Sequence, residues 1–176
     1  MDEEHDLVLL ALPGADVVWG ERTANDRAVL RSIPEPASGF HWLDEVRVIS
    51  AELADIAVDD VGYPVLPAPE LVETSGIPTT LAEIACTDAS DLALLVQEFT
   101  AQGSRCEDWT EDIRVVCTGC MGSAEPDPDH HHRSGGWFER HHLAIAGTAS
   151  DAETTLRSWI DRAPERRALL QIDEAP

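Results

Sequence analysis

The sequence predicts an α+β protein in which a β-rich first part precedes a mixed second part. Short apolar runs broken by Gly, Pro and Asp fill residues 1–62 and favour strands. Beyond residue 80, two amphipathic helical patterns alternate with strand-like runs. Between them, 63–79 is rich in proline and predicts a connector. We therefore expect a small antiparallel β region at 1–62, a connector at 63–79 and an α+β module at 80–176.

The first part contains apolar runs of the length of a β-strand and no helical pattern of about ten residues or more. Leu7 opens an apolar run that Pro13 and Gly14 stop, and similar runs recur up to Val58. Runs of this length between turn residues are typical of a small antiparallel sheet or barrel. The predicted strands are 7–12, 16–19, 28–30, 46–49 and 53–58.

The second part contains an internal repeat. Residues 84–91 match residues 145–151 with one gap, and each copy is an apolar strand end followed by a helix start. Ser90 and Ser150 are the predicted N-caps of the two helices, and Ser150 with Glu153 fits a capping box. The repeat therefore predicts two similar strand–helix units.

Each predicted helix has one apolar face at helical spacing. In helix 90–102 this face is Leu92, Leu95, Val96 and Phe99, and in helix 150–162 it is Ala152, Leu156, Trp159 and Ile160. Strands are predicted at 81–86, 112–117, 138–147 and 167–172. The resulting β-α-β-β-α-β order resembles the ferredoxin-like split βαβ fold, with a long loop of metal-binding type between its second and third strands. The resemblance is topological, so it implies no particular activity.

One segment concentrates residues that bind metals. Cys117 and Cys120 form a CxxC motif, and the histidine triplet 130–132 follows within the same loop. Two thiolates at this spacing together with imidazoles are the ligands of a tetrahedral zinc site, with Cu(I) as the second choice of metal. The segment 121–136 has almost no core residues of its own, and a metal would anchor it.

The ferredoxin-like resemblance implies which further residues lie near this motif. Its first and second strands run parallel and its third runs back between them, so the ends of the first two strands and the start of the third share one edge. Cys106, in the predicted helix-to-strand connection, is placed at the opposite edge and is excluded as a ligand. The predicted zinc ligands are Cys117, Cys120 and Cys86 with one or more of His130, His131, His132, His141 and His142; His130, His132 and His141 are preferred.

Other interpretations of these residues remain open. The histidine triplet sits among Pro and Asp residues and also fits a solvated polar run, while Cys86 and Cys117 also fit small core residues. Thiol redox chemistry favours a CxxC at a helix N-terminus, whereas this motif follows a strand and opens a loop.

Charge restricts the classes of partner. The formal net charge is −22, and every cation among the twelve basic residues is arginine. Such a chain repels phosphate backbones and anionic lipid, so nucleic-acid and membrane partners are excluded, and a basic protein partner is favoured. A genome that favours Asp, Glu and Arg over Lys explains the same composition without function. The acidic N-terminus and the short apolar runs predict a cytoplasmic protein without a secretory signal.

These observations predict a zinc-stabilised binding protein that acts through protein contacts, as an immunity or antitoxin-like inhibitor of a cationic protein does. Trp137, next to the loop 121–136, is the predicted partner-binding residue. Two alternatives remain: a metal-dependent hydrolase with an open zinc position, and a small-molecule-binding regulatory module. The number of protein ligands on the metal distinguishes the enzyme from the structural site.

Overall fold

The computed structural model describes residues 7–14, 17–58, 61–68, 70–110 and 139–175. These residues form a mixed α+β structure with two sheets and two α-helices, and strands predominate. They divide into two compact units, and the division falls between Gly76 and Ile77. None of the helices in the described ranges is long and apolar enough to cross a membrane.

The first unit is a seven-stranded sheet. Its strands are β1 (Leu7–Ala11), β2 (Val17–Ala24), β3 (Arg27–Leu30), β4 (Glu45–Arg47), β5 (Ala54–Val58), β6 (Val61–Pro67) and β7 (Glu70–Glu73). They lie in the order β5-β6-β1-β2-β3-β4-β7. A 3-10 turn at Pro36–Ser38 separates β3 from β4. The runs between turn residues thus form strands, as predicted, although β2 extends five residues beyond the predicted strand 16–19.

The sheet of the first unit is mixed, and the prediction of a purely antiparallel sheet was wrong. β1 pairs with β2 antiparallel but with β6 parallel, through residues 9–11 of β1 and 65–67 of β6. A parallel pair needs a long crossover, and here four intervening strands provide it. Such pairing between distant segments leaves no local pattern in the sequence.

The predicted connector 63–79 contains β6, β7 and the start of the next strand, although the division between the two units falls within it. Proline misled the interpretation, since it lacks the N–H that a sheet ladder requires. Pro64 lies opposite Asp55 of β5 in the register, next to the three residues of β6 that pair with β1. Pro67 ends β6, and its carbonyl accepts a hydrogen bond from Ile49 N at 2.9 Å. Both prolines therefore lie within the paired region of β6, although neither can donate a backbone hydrogen bond.

The second unit has the element order β-α-β-β-α-β. Its elements are β8 (Thr79–Cys86), α1 (Ala89–Ala101), β9 (Cys106–Asp108), β10 (Arg140–Ala146), α2 (Ala149–Asp161) and β11 (Arg167–Glu174). The sheet order is β11-β8-β10-β9, and each neighbouring pair is antiparallel. β10 thus lies between β8 and β9, as the predicted topology requires. The second strand lies at Cys106–Asp108, before the predicted position 112–117, which is outside the described residues.

The helices pack their predicted faces on the sheet of the second unit. Leu95, Phe99, Leu156 and Trp159 are almost fully buried together with Ile84 of β8. Leu92, Val96 and Ile160 pack at the margin of the same cluster.

The two helices begin earlier than the predicted caps. Asp88 is the N-cap of α1 and accepts a hydrogen bond from Ser90 N, while Thr148 is the N-cap of α2 and accepts one from Asp151 N. Glu153, the predicted partner of Ser150 in a capping box, accepts a hydrogen bond from Arg157. The predicted caps Ser90 and Ser150 were therefore wrong by two residues, because Asp88 and Thr148 are also of residue types that cap helices.

Candidate functional site

The predicted metal site is only partly within the described residues. Cys86 ends β8 and His141 is the second residue of β10. Four other preferred ligands and the predicted partner-binding residue lie outside the described ranges; these are Cys117, Cys120, His130, His132 and Trp137. Within the described residues, the candidate site is therefore the sheet edge at which Cys86 and His141 lie.

Strand register brings Cys86 and His141 to one edge and one face of the sheet. His141 lies opposite Ile84 on β8, and Cys86 N donates a hydrogen bond to Glu139 O at 3.1 Å. The two residues are thus diagonal neighbours on antiparallel strands, and both are buried on the face that the helices cover. His142 is exposed on the opposite face, because adjacent strand residues alternate, so it cannot share a metal with His141.

His141 is held by a carboxylate on the neighbouring strand. Its Nδ1 lies 2.8 Å from Asp108 Oδ2 and 3.4 Å from Thr110 Oγ1, and the imidazole side chain is only 3% exposed. Thr110 N and Oγ1 both donate to Asp108 Oδ1. Thr110 Oγ1 in turn accepts from His142 N at 2.8 Å. A carboxylate on Nδ1 fixes the orientation of the ring and presents Nε2 as the nitrogen that would ligate a metal.

A second polar network lies on the other side of Cys86, where α1 meets the start of β11. Arg167, opposite Cys86 in the register of β8 and β11, donates to Asp91 Oδ1 at 2.7 Å and to Trp159 O at 2.5 Å. Trp159 Nε1 donates to Asp91 O at 3.0 Å, and the Arg167 Cζ lies 4.7 Å from the Trp159 ring centroid. Arg166 adds a longer ion pair of 3.4 Å to Asp91 Oδ1. This cluster ties α1, α2 and β11 together.

The two networks set the electrostatics at Cys86. Burial raises the pKa of the Cys86 thiol above its ordinary value, and the charges of Asp91 and Asp108 raise it further. A backbone hydrogen bond with Asp88 and the charge of the Arg167 guanidinium lower the pKa and so oppose this shift. Cys86 is thus a protonated thiol in the described structure, so binding a metal there requires loss of its proton.

Hydrogen bonding to Arg167 has the opposite effect on Asp91. It holds the pKa of the Asp91 carboxyl below its ordinary value despite the desolvation that accompanies burial. Asp91 is therefore an ionised partner in a buried ion pair with Arg167.

Cys106 is a core residue of β9, not part of a connection as predicted. It lies opposite Ile145, near the other end of β10 from His141, and is 3% exposed. Burial raises the pKa of its thiol to about 12. Its position therefore separates Cys106 from the edge where Cys86 lies.

The described part of the chain does not by itself form a metal centre. Among the described residues, no three His, Cys, Asp or Glu side chains are grouped so that they could hold a metal ion. Cys86, His141 and Asp108 therefore supply at most part of such a site.

Sequence reasoning missed both polar networks at this edge. Asp91 was assigned only to a predicted helix start, and no role was predicted for Asp108. The separation of Asp91 from Arg167 is 76 residues and that of Asp108 from His141 is 33 residues. The signal that the sequence offered for the first pair was Arg167 at the start of the predicted strand 167–172.

Comparison with known proteins adds little to this description. No family model matches the chain, and no curated protein matches it. A solved structure of a hypothetical protein from Neisseria gonorrhoeae aligns over 99% of this chain and 96% of that one, at 12% sequence identity. Its TM-score is 0.31, which is too low to support a statement about fold or function.

Proposed function

We propose that this protein is an acidic protein-interaction module of inhibitory type, which binds a basic protein partner as an immunity protein or antitoxin does. The observation that carries the proposal is the pairing of its cations. Nine of the ten arginines in the described ranges lie within ion-pair distance of a described carboxylate. The pairs include Arg27–Glu45, Arg31–Glu21, Arg47–Glu70, Arg105–Glu107, Arg140–Glu83, Arg157–Glu153, Arg162–Glu98 and Arg167–Asp91.

This pairing leaves the excess of acid without local compensation. The chain has 34 Asp and Glu against 12 Arg, so pairing each arginine with a carboxylate neutralises only a minority of the acids. Carboxylates such as Glu52, Asp55 and Asp161 are exposed. The field that a partner meets is therefore negative, which speeds association with a basic protein and opposes binding to phosphate backbones.

We further propose that zinc binding orders the segment 121–136. The carboxylate-held imidazole of His141 and the neighbouring thiol of Cys86 support this, because both lie at the sheet edge where β10 begins. Cys117, Cys120, His130 and His132 enter the proposal through their spacing in the sequence. In this proposal Trp137 contacts the partner.

We also propose that the second unit has a ferredoxin-like fold. Its β-α-β-β-α-β element order and its β11-β8-β10-β9 sheet order support this assignment. The fold positions residues at one sheet edge and says nothing about the partner.

The test of the proposed function is a crosslinking pull-down from the source organism, followed by affinity measurements on each purified hit at low and high salt. Hen lysozyme serves as a generic basic control. We expect a basic hit that binds at least about a hundredfold more tightly than lysozyme and weakens as salt is raised. A specific partner that is acidic, or whose affinity does not change with salt, would contradict the proposal.

A further inference from the structure

The outer edge of β11 has features that suit an added strand. β11 ends the sheet order of the second unit, so in the described structure one side of its backbone has no strand neighbour. Ala175 N donates to Thr79 O at 2.8 Å, which fixes the alternation along β11. Backbone groups of Ile172 and Glu174 consequently face away from β8.

β11 offers more unpaired backbone than the other outer strands of the described sheets. It has eight residues, whereas β5, β7 and β9 have five, four and three. A bulge between Leu169 and Gln171 interrupts its register with β8, and Leu170 at the bulge is 44% exposed. The last five residues of β11, 170–174, thus form an edge whose exposed side chains are polar except for Leu170.

The charge on this edge is acidic. Gln171, Asp173 and Glu174 are exposed, and the Gln171 amide donates to Asp173 Oδ2. The two cations at the start of the strand, Arg166 and Arg167, are both engaged by Asp91. Glu174 Oε2 also accepts a hydrogen bond from Ala149 N at 3.3 Å. The exposed end of β11 therefore presents carboxylates that no cation of the strand itself neutralises.

We infer that β11 binds an extended basic segment of the partner protein by strand addition. The inference rests on the proposed function and names the surface that performs it. Backbone hydrogen bonds to the outer edge supply affinity, a Lys or Arg opposite Asp173 supplies charge complementarity, and an apolar side chain packs on Leu170. A second copy of this chain is the wrong occupant, because its own β11 would bring like charges together.

The test uses synthetic octapeptides and the intact protein. The probe alternates Lys and Val, and its matched control has the same sequence with alternate backbone nitrogens methylated, so that charge is kept while strand pairing is blocked. We expect the probe to bind with amide chemical-shift changes centred on β11, and the methylated peptide to bind at least about tenfold more weakly. Asp173→Lys should weaken the probe several-fold, whereas Glu52→Lys, an equal charge change in the first unit, should not.

The outcomes separate this inference from the proposed function. Equal binding of the two peptides, or shifts centred on other elements, would overturn strand addition at β11 while leaving an acidic binding surface. Failure of the probe to bind any better than a Glu–Val peptide of the same length would contradict both.

Discussion

The Arg167 guanidinium donates to Asp91 Oδ1 at 2.7 Å and so joins the start of β11 to the first turn of α1. Both side chains are more than nine-tenths buried. A buried charge that loses its partner is costly, while the intact pair contributes little beyond an apolar replacement. The pair therefore acts chiefly as a constraint on how the helices and β11 meet.

Arg167→Met should lower the free energy of unfolding by about 3 kcal/mol, because it leaves the Asp91 carboxylate buried without its main partner. The measurement is urea unfolding followed by tryptophan fluorescence. Arg157→Met is the matched control, since Arg157 pairs with Glu153 on the exposed surface of α2 and should change stability by less than about 0.5 kcal/mol. A double variant, Asp91→Leu with Arg167→Met, should regain part of the loss; equal effects of the two single arginine variants would contradict this account.

Acid should weaken the second unit through Asp91. Its pKa is lowered in the folded protein from an ordinary value of 3.8, so its ionised form contributes stability that is present above pH 3.8 and is lost as pH falls through the folded pKa. The stability difference between wild type and Asp91→Asn should thus be constant near neutral pH and shrink below pH 3.8. Unfolding midpoints in urea across a pH series measure this. A difference that grows as the pH falls would be inconsistent with the lowered pKa.

Gly20 lies against a core side chain of the first unit. A Cβ at this position would overlap Leu10 Cδ1 and lie 3.0 Å from Leu10 Cγ, and Leu10 is fully buried. Gly20→Ala should therefore destabilise the protein by about 1–3 kcal/mol through overpacking. Gly62→Ala is the control, because an added Cβ there meets no atom within 4 Å. The melting temperatures of both variants are measured by thermal unfolding. Similar melting temperatures for Gly20→Ala and Gly62→Ala would contradict the predicted overpacking at Gly20.

Two thiols should be protected from alkylation in the folded protein. Burial raises the pKa of Cys106 to about 12 and also raises that of Cys86. At pH 8 both should react with iodoacetamide more than about tenfold more slowly in the native protein than in urea. Peptide mass spectrometry locates the label. Fast native labelling of Cys106 would show that the core around β9 opens readily.

Zinc should be present at about one ion per chain in untagged protein purified without added metal. Cys117→Ser and Cys120→Ser should each lose it together with stability, whereas Cys106→Ala, in the core of β9, should retain it. Asp108→Asn should lower the affinity about 10–100-fold, because the carboxylate orients His141. Elemental mass spectrometry provides the measurement.

The outcomes for zinc also separate the structural site from the enzyme. Metal lost without loss of stability in Cys117→Ser would favour the hydrolase alternative. Wild-type protein without zinc would remove the metal from the proposal and leave the acidic surface as its basis.

Local pattern was enough to identify most elements, because periodicity depends only on residues close in sequence. The helical spacing predicted that Leu95, Phe99, Leu156 and Trp159 face the core, and all four are buried. The proline-rich stretch at 63–79 misled the same reasoning, since the strand status of 61–67 depends on the distant strands β1 and β5.

The internal repeat illustrates what could not be predicted from the sequence, namely which charged residues are buried. Asp91 and Asp151 occupy equivalent positions in the two copies, yet Asp91 is buried against Arg167 while Asp151 is exposed and bonds to Thr148. Arg105 lies beside the last residue of β10, just as Arg167 lies beside the last residue of β8. Arg105, however, forms its ion pair with Glu107 and not with the aspartate of the following helix. Composition and periodicity thus determined the acidity, the elements and the helix faces. The tertiary structure decided which charges are buried together, because that choice depends on strand register between segments far apart in the chain.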